Sequence, residues 1–280
     1  MRISTDTAIF AAIGDCKKIV KLIKDGGFDA YDFTLSSKPM SDIMNADDYL
    51  EQAKAFREYA DSIGIECNQS HAPFPSIRVG DEEYNTRLFG KLVRAIEISG
   101  ILGASVCVVH ACNDYTMEEN IAFYKSLEPY ARKAGVKIGL ENLYGAKDGK
   151  RVCGACSPHD SFKAYLDLLP ADVFTACLDI GHAEILGEET SAVQMIETLG
   201  DRLTAMHLHD VDKSRDNHLL PFTLKIDFPP IIEALRKINY QGDITLEACH
   251  FVKNMPVELL PNVAKLAADV AAYFRREIQK

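Results

Sequence analysis

The sequence predicts an α/β fold in which eight strand and helix pairs close into a single (β/α)8 barrel. Short apolar runs alternate with longer segments of helical period along the whole chain. No stretch rich in Pro, Gly or Ser divides it, so residues 1–280 are expected to form one domain. Six consecutive predicted strands, the third to the eighth, each end on a histidine or an acid. A doubly wound open sheet is the alternative for such an alternation. When it binds a dinucleotide it shows a Gly-rich turn after the first strand, and none follows Ile3 to Thr5.

Ile3 to Thr5 opens as a short strand, and Cys16 to Lys24 puts Ile19, Leu22 and Ile23 on one helical face before Gly26-Gly27 ends it. Asp29 to Leu35 reads as strand two, and Asp47 to Ile63 as the helix after it, closed by Gly64. Strand three, Ile65 to His71, leads to a helix over Tyr84 to Leu102 closed by Gly103. Ala104 to His110 is an almost continuous apolar run, the pattern of a strand buried on both faces of a parallel sheet. Glu118 to Ala134 has helical period, with Pro129 marking a kink or a break. Val136 to Leu140 is strand five, followed by a loop from Leu143 to Ser157. Ser157 is placed to cap a helix over Pro158 to Leu169. Strands six to eight are Phe174 to Leu178, Leu203 to Leu208 and Asp243 to Leu246. Their helices are Ser191 to Leu199, Pro229 to Ile238 and Val263 to Phe274, the last with Val263, Leu266, Val270 and Phe274 in register.

A hydrophobic fraction of 47% and a charged fraction of 26% are those of an ordinary globular chain with material for a large core. The net charge of −10 argues against a nucleic-acid partner, whose binding rests on clustered Lys and Arg. No run approaches the ~20 apolar residues of a membrane span, and Asp6 falls where a signal peptide would be apolar. A cytoplasmic protein without a membrane partner is expected, and a homo-oligomer is left open. Of eight cysteines, Cys67, Cys107, Cys112, Cys177 and Cys249 lie in or beside apolar strands, where free Cys acts as a small hydrophobe. Cys153-Gly154-Ala155-Cys156 has redox-pair spacing but no second pair to complete a zinc site, which favours reduced thiols.

His71, His110, Glu141, Asp179, His207 and Glu247 stand at the C-terminal ends of six different strands. In a parallel barrel those ends open on one face, so the six meet in one pocket. Three carboxylates buried together are costly unless a cation compensates them, and one divalent ion among Glu141, Asp179 and Glu247 removes the difficulty. Such a set with one histidine suits Mn²⁺, Mg²⁺ or Co²⁺; more histidine moves the preference toward Zn²⁺. A lone strand-end histidine such as His71 or His110 is more often a hydrogen-bonded pocket residue than a ligand. His207 and His209 are two apart and share a strand face, so spacing does not choose between them. The segment from His207 to Pro221 carries three of the eight histidines and adds Asp216 and His218 to the same region.

Through Leu140-Glu141-Asn142, Asp179-Ile180-Gly181-His182, His207-Leu208-His209-Asp210 and Leu246-Glu247 the chain resembles the sugar phosphate isomerase and epimerase superfamily, the xylose-isomerase-like TIM barrels. The resemblance implies Glu141, Asp179, His207 and Glu247 as ligands of one divalent metal, with Glu141 and Glu247 also moving the proton and His182 touching a substrate oxygen. It implies isomerisation or epimerisation of a small ketose or keto-sugar, phosphorylated or not, through a metal-stabilised enediolate. The same superfamily holds zinc-dependent endonucleases that cut DNA at abasic sites, and the chain is similar to them at His71, His110, Glu141, Asp179, His182, His207, Asp216, His218 and Glu247. The absence of a dense basic cluster keeps the sugar reading first and the endonuclease second.

Where many members of that superfamily carry Gly-x-Gly after the Asp-x-His motif, this chain reads Phe222-Thr223-Leu224-Lys225. Bulky residues there keep backbone away from a phosphate, leaving Lys213, Arg215 and Lys225 as the candidates for substrate charge. The further Glu expected after Glu141 in a ketose 3-epimerase is missing, which leaves the particular sugar open. With no Trp in the chain, stacking on a sugar face falls to Phe10 or Phe74.

Overall fold

The structure is a computed structural model that describes residues 1–187 and 189–280. In chain order its elements begin with β1 (Ile3–Asp6), α1 (Cys16–Gly26), β2 (Ala30–Thr34), α2 (Met40–Asn45), α3 (Tyr49–Ser62), β3 (Glu66–His71) and α4 (Glu82–Leu102). They continue with β4 (Val106–Val108), α5 (Met117–Ala134), β5 (Lys137–Glu141), β6 (Tyr144–Lys147), β7 (Lys150–Cys153) and α6 (His159–Asp167). The last are β8 (Phe174–Asp179), α7 (Ile180–Glu184), α8 (Ala192–Leu199), β9 (Leu203–His207), α9 (Phe228–Lys237), β10 (Ile244–Leu246) and α10 (Leu260–Ile278).

Eight strands form one parallel sheet in the order β10-β1-β2-β3-β4-β5-β8-β9. The edges meet where Leu208 N donates to Thr245 O at 2.9 Å and Glu247 N donates to Leu208 O at 3.1 Å. This is the expected (β/α)8 barrel. Every residue of β2 and of β8 is buried, as strands covered by helices require. Each helix turns one apolar stripe inward: α1 buries Ile19, Val20 and Ile23, and Asp15 caps it by accepting from Lys18 N at 3.0 Å.

Several local expectations are corrected. The stretch read as a loop after strand five contains the β6–β7 hairpin, turned by Asp148 and Gly149 at φ 52° and 75°. An Asp-Gly pair is the standard signal of that two-residue turn. Helix α5 runs through Pro129 without a break. Ser157 does not cap α6, whose first turn follows Pro158, and its hydroxyl is buried without a partner. Leu266 is exposed, while Val263 and Phe274 are buried as expected, and between them the inward face of α10 is an alanine stripe of Ala264, Ala267, Ala268 and Ala271. Small side chains are needed there because α1 comes so close that a Cβ on Gly26 would lie 2.8 Å from that of Ala264. Among the described residues all eight cysteines are free; burial pushes the Cys153 thiol up to about 11 and Cys156 well above its ordinary value. Neither is primed as a thiolate.

Candidate active site

The strand ends meet around a cavity of about 400 Å³ whose lining includes His71, His110, Glu141, His182, Asp216, His218 and Glu247. Sheet register explains the convergence. A shift between Ala176 and Cys177 pairs Asp179 directly with His207, and β5 sets Glu141 beside Cys177 on the same rim. Asp179 ends β8 and starts α7, its Oδ1 accepting from His182 N at 2.6 Å. One carboxylate thereby caps a helix and turns toward the pocket. Asn142 holds it from the other side, accepting from Asp179 N at 2.8 Å and donating to Asp179 O at 2.9 Å.

Glu141 is the hub. Its Oε2 lies 2.9 Å from His110 Nε2 and 3.4 Å from His71 Nε2, and its Oε1 lies 3.3 Å from His207 Nδ1 and 3.5 Å from His182 Nδ1. Glu247 Oε2 is 3.4 Å from the same His207 Nδ1. On the far side, Asp216 Oδ2 accepts from His182 Nε2 at 3.2 Å, from His218 Nε2 at 3.0 Å and from the Tyr144 hydroxyl at 3.3 Å. His209 Nε2 sits 3.0 Å from both oxygens of Asp179, and its ring stacks on His218 with centroids 4.0 Å apart.

Burial opposes charge at each of these groups, and their neighbours decide the outcome. His207 and His110 outweigh burial at Glu141 and hold its carboxyl well below the usual range. Burial is likewise overcome at Asp179, where His182 and His209 hold the carboxyl at about 2. His182 is buried too, yet Asp179 and Asp216 lift it to about 10. His110 goes the other way, because burial outweighs Glu141 there.

These shifts set the pH dependence of the metal-free protein. Asp179 adds stability that is complete above its ordinary value of 3.8 and is lost as pH falls through about 2. His182 adds stability that is complete below its ordinary 6.5 and is lost as pH rises through about 10. Chelator-treated protein is therefore expected to melt highest between roughly pH 4 and 6.5, with the melting temperature falling toward pH 10. Thermal melts across pH check this. A melting temperature that climbs steadily from pH 6.5 to 10 would contradict it.

Donor chemistry and geometry fit a divalent ion. One ligand atom from each of Glu141, Asp179, His207 and Glu247 lies within 4.8 Å of all the others. Both ring nitrogens of His207 are buried without a hydrogen-bond partner, a state that calls for an explanation such as an ion. Three further sets gather in the same way: His182 with Asp216 and His218, His209 with His218 and Glu247, and His71 with Glu141 and His207.

Not every expected residue reaches the cavity. Lys213, Arg215 and Lys225 are exposed and do not line it, and Lys213 pairs with Glu184 at 3.2 Å. Asp212 Oδ1 accepts from the backbone of Ser214 and Arg215 at 2.9 Å each, holding Lys213 and Arg215 in an exposed turn ahead of Asp216. Phe10 is fully buried in the core, so it cannot meet a sugar. Phe74 is 52% exposed, lines the cavity and stacks on His110 at 4.8 Å. His209 is buried behind the lining, as a partner of Asp179.

Sequence reasoning missed Asp6, Asp32 and Tyr144. Asp6 extends β1 by one residue and is buried, which with the nearby charge of Glu247 lifts its carboxyl to about 8. Asp32 stands inside the buried run Ala30-Tyr31-Asp32-Phe33-Thr34, where an acid in the middle of an apolar strand was the available signal. Tyr144 enters through the hairpin.

Fold and site together define an α/β barrel that gathers several sets of possible metal ligands at the C-terminal strand ends. The chain belongs to the xylose isomerase-like TIM barrel family, whose model matches residues 20–276. It is 25% identical over 248 residues to D-psicose 3-epimerase of Enterocloster bolteae, covering 83% of this chain and 76% of that one. A match to an uncharacterized protein of Sinorhizobium fredii is 29% identical over 170 residues, 56% of this chain, and spans about half of that relative, 51%. Among solved structures, a D-tagatose 3-epimerase-like protein superposes with a TM-score of 0.72 at 20% identity, covering 98% of this chain and 99% of that one. Among the described residues no helix is long and apolar enough to cross a membrane.

Proposed function

We propose that this chain is a divalent-metal-dependent isomerase or epimerase, a single catalytic domain acting on a small, unphosphorylated keto-sugar. The observation that carries the reading is the gathering of Glu141, Asp179, His207 and Glu247 within mutual ligand distance, with both glutamates lining the cavity. Its named relatives being sugar epimerases supports it. Among the described residues no Lys or Arg lines the cavity, which disfavours a phosphorylated substrate.

Glu141, Asp179, His207 and Glu247 would hold the ion. When bound, it polarises a carbonyl and the neighbouring hydroxyl and so eases removal of the proton on the carbon between them. The protein's own residues do the rest. One glutamate accepts the carbon-bound proton at a carboxylate oxygen, and the other returns a proton to the opposite face or to the adjacent carbon. Asp216, held by Nε2 of His182 and Nε2 of His218 and lining the cavity, offers its carboxylate to accept from a sugar hydroxyl. Against the effect of burial, Asp179 and Asp216 lift His182, and Glu247 and Asp216 lift His218, so both rings stay protonated near neutrality and hold Asp216 in place. Phe74 gives the apolar wall on which a sugar face rests.

One observation favours a second reading, a zinc endonuclease acting at abasic DNA: the three additional donor sets, around His71, around Asp216 and around His209 with His218 and Glu247. Elemental analysis separates the two. A single exchangeable Mn, Mg or Co per chain is the expected result, and about three tightly held zinc ions per chain would favour the endonuclease. The chemistry is tested by incubating metal-loaded protein with a panel of ketoses in heavy water and following carbon-bound deuterium by NMR. Nicking of an abasic duplex with no deuterium in any sugar would overturn the proposal.

A further inference from the structure

We infer that Asp32 is a positioning residue for the metal centre: it orients His207 and fixes which ring nitrogen faces the other ligands. The inference rests on the proposed ligand set of Glu141, Asp179, His207 and Glu247.

His207 is fully buried and uses its two nitrogens on opposite sides. Nδ1 faces Glu141 Oε1 at 3.3 Å and Glu247 Oε2 at 3.4 Å, so it is the ligand atom. Nε2 faces Asp32 Oδ2 at 3.5 Å. Asp32 is 1% exposed, and its Oδ1 has no partner. A buried carboxylate with an orphaned oxygen is costly, and a fold keeps one where it serves a neighbour. With the carboxylate on the Nε2 side, the favoured neutral tautomer carries its proton on Nε2 and leaves Nδ1 bare for a cation. A carboxylate behind a ligating histidine both aims the ring and strengthens its bond to the ion.

The carboxylate is itself held in place. The β2–β3 register shifts between Tyr31 and Asp32, so Asp32 pairs with Gln69 instead of Asn68. Gln69 Nε2 then donates to Asp32 Oδ2 at 2.9 Å, while its Oε1 accepts from the Thr245 hydroxyl at 3.2 Å. Thr245 Oγ1 in turn accepts from Ser4 Oγ at 2.8 Å and Asn68 Nδ2 at 3.0 Å. A buried chain of hydrogen bonds from β1, β3 and β10 thus ends on the carboxylate that faces Nε2 of His207.

Asp32→Asn keeps the shape and the Gln69 bond but removes the charge; Asp32→Ala removes both. Metal affinity is measured on full-length protein by competition with a chelator, using Mn²⁺ and Zn²⁺ alone. The tautomer of His207 is read in the Zn²⁺-loaded protein from long-range ¹H–¹⁵N correlations. Affinity is expected to fall about 10-fold in D32N and about 100-fold in D32A, the range that removal of such a partner commonly costs. In wild type the Nε2 of His207 is expected to carry the proton, and in D32A that assignment is expected to be lost or mixed. Folding is checked by thermal melts, and D32N, which changes no volume, stands as the variant if D32A does not fold. D32N and D32A binding metal as tightly as wild type, or His207 protonated on Nδ1 in wild type, overturns the role of Asp32. Wild type that binds neither ion, or His207→Ala that binds as well as wild type, overturns the ligand set instead.

Discussion

Glu247→Gln is expected to lower deuterium incorporation into a ketose substrate by on the order of 10²–10⁴-fold while leaving the barrel folded. The side chain is half of the proposed proton-moving pair, and an amide of the same shape cannot accept a proton from carbon. Its backbone keeps its place, because Glu247 N still donates to Leu208 O at 3.1 Å and Glu247 O still accepts from His218 Nδ1 at 3.0 Å. The substitution also removes a charge 3.4 Å from His207 and 3.6 Å from His218, so metal affinity falls as well. Exchange must therefore be measured at saturating metal, with the bound ion counted by elemental analysis. A loaded variant that exchanges within a few-fold of wild type would remove Glu247 from the chemistry. Loss of exchange that tracks loss of metal, and is restored by excess metal, would make it a ligand only.

The barrel was legible in the chain because its signals are local and repeated. Apolar strands, amphipathic helices and closing glycines such as Gly27 and Gly103 recur in order, and each of the eight expected strands and their helices sits within a few residues of its expected place. Candidate ligands were legible for a related reason: a residue at the end of a barrel strand has its location fixed by topology. What lay beyond reach depended on register and on side-chain direction. Spacing put His207 and His209 on one strand face, but only the β8–β9 register shift shows His207 opposite Asp179 and His209 packed behind it. Asp32 was passed over because an acid inside an apolar run carries no mark of what it faces. Lys213, Arg215 and Lys225 were drawn in by sequence proximity to Asp216, yet the segment turns their charges to solvent. Phe10 failed for the opposite reason, since an aromatic near a strand end can as readily fill the core.

Gly181→Ala is expected to be the most damaging single methyl group in the site. A Cβ on Gly181 would lie 2.0 Å from His209 Cε1, 2.6 Å from its Nε2 and 2.7 Å from its Nδ1. No real contact is that close, so something must move. The ring cannot retreat, because it is fully buried and stacks on His218 at 4.0 Å. Moving it would break the 3.0 Å contacts to both oxygens of Asp179, a proposed metal ligand that also caps α7 through His182 N. Alanine is the better helix former of the two, so any loss reports the contact and not the propensity of α7. Overpacking of this kind costs about 1–3 kcal/mol where side chains can adjust, and a site closed on every side belongs at the upper end. A lower melting temperature together with weakened binding of Mn²⁺ is the expected result, read by thermal melts and chelator competition. The double variant Gly181→Ala with His209→Ala separates the causes: it opens the space the methyl group needs, so it is expected to regain melting temperature relative to Gly181→Ala alone. If the single variant melts and binds metal as wild type does, His209 is not the fixed support of Asp179 that its stacking and burial make it.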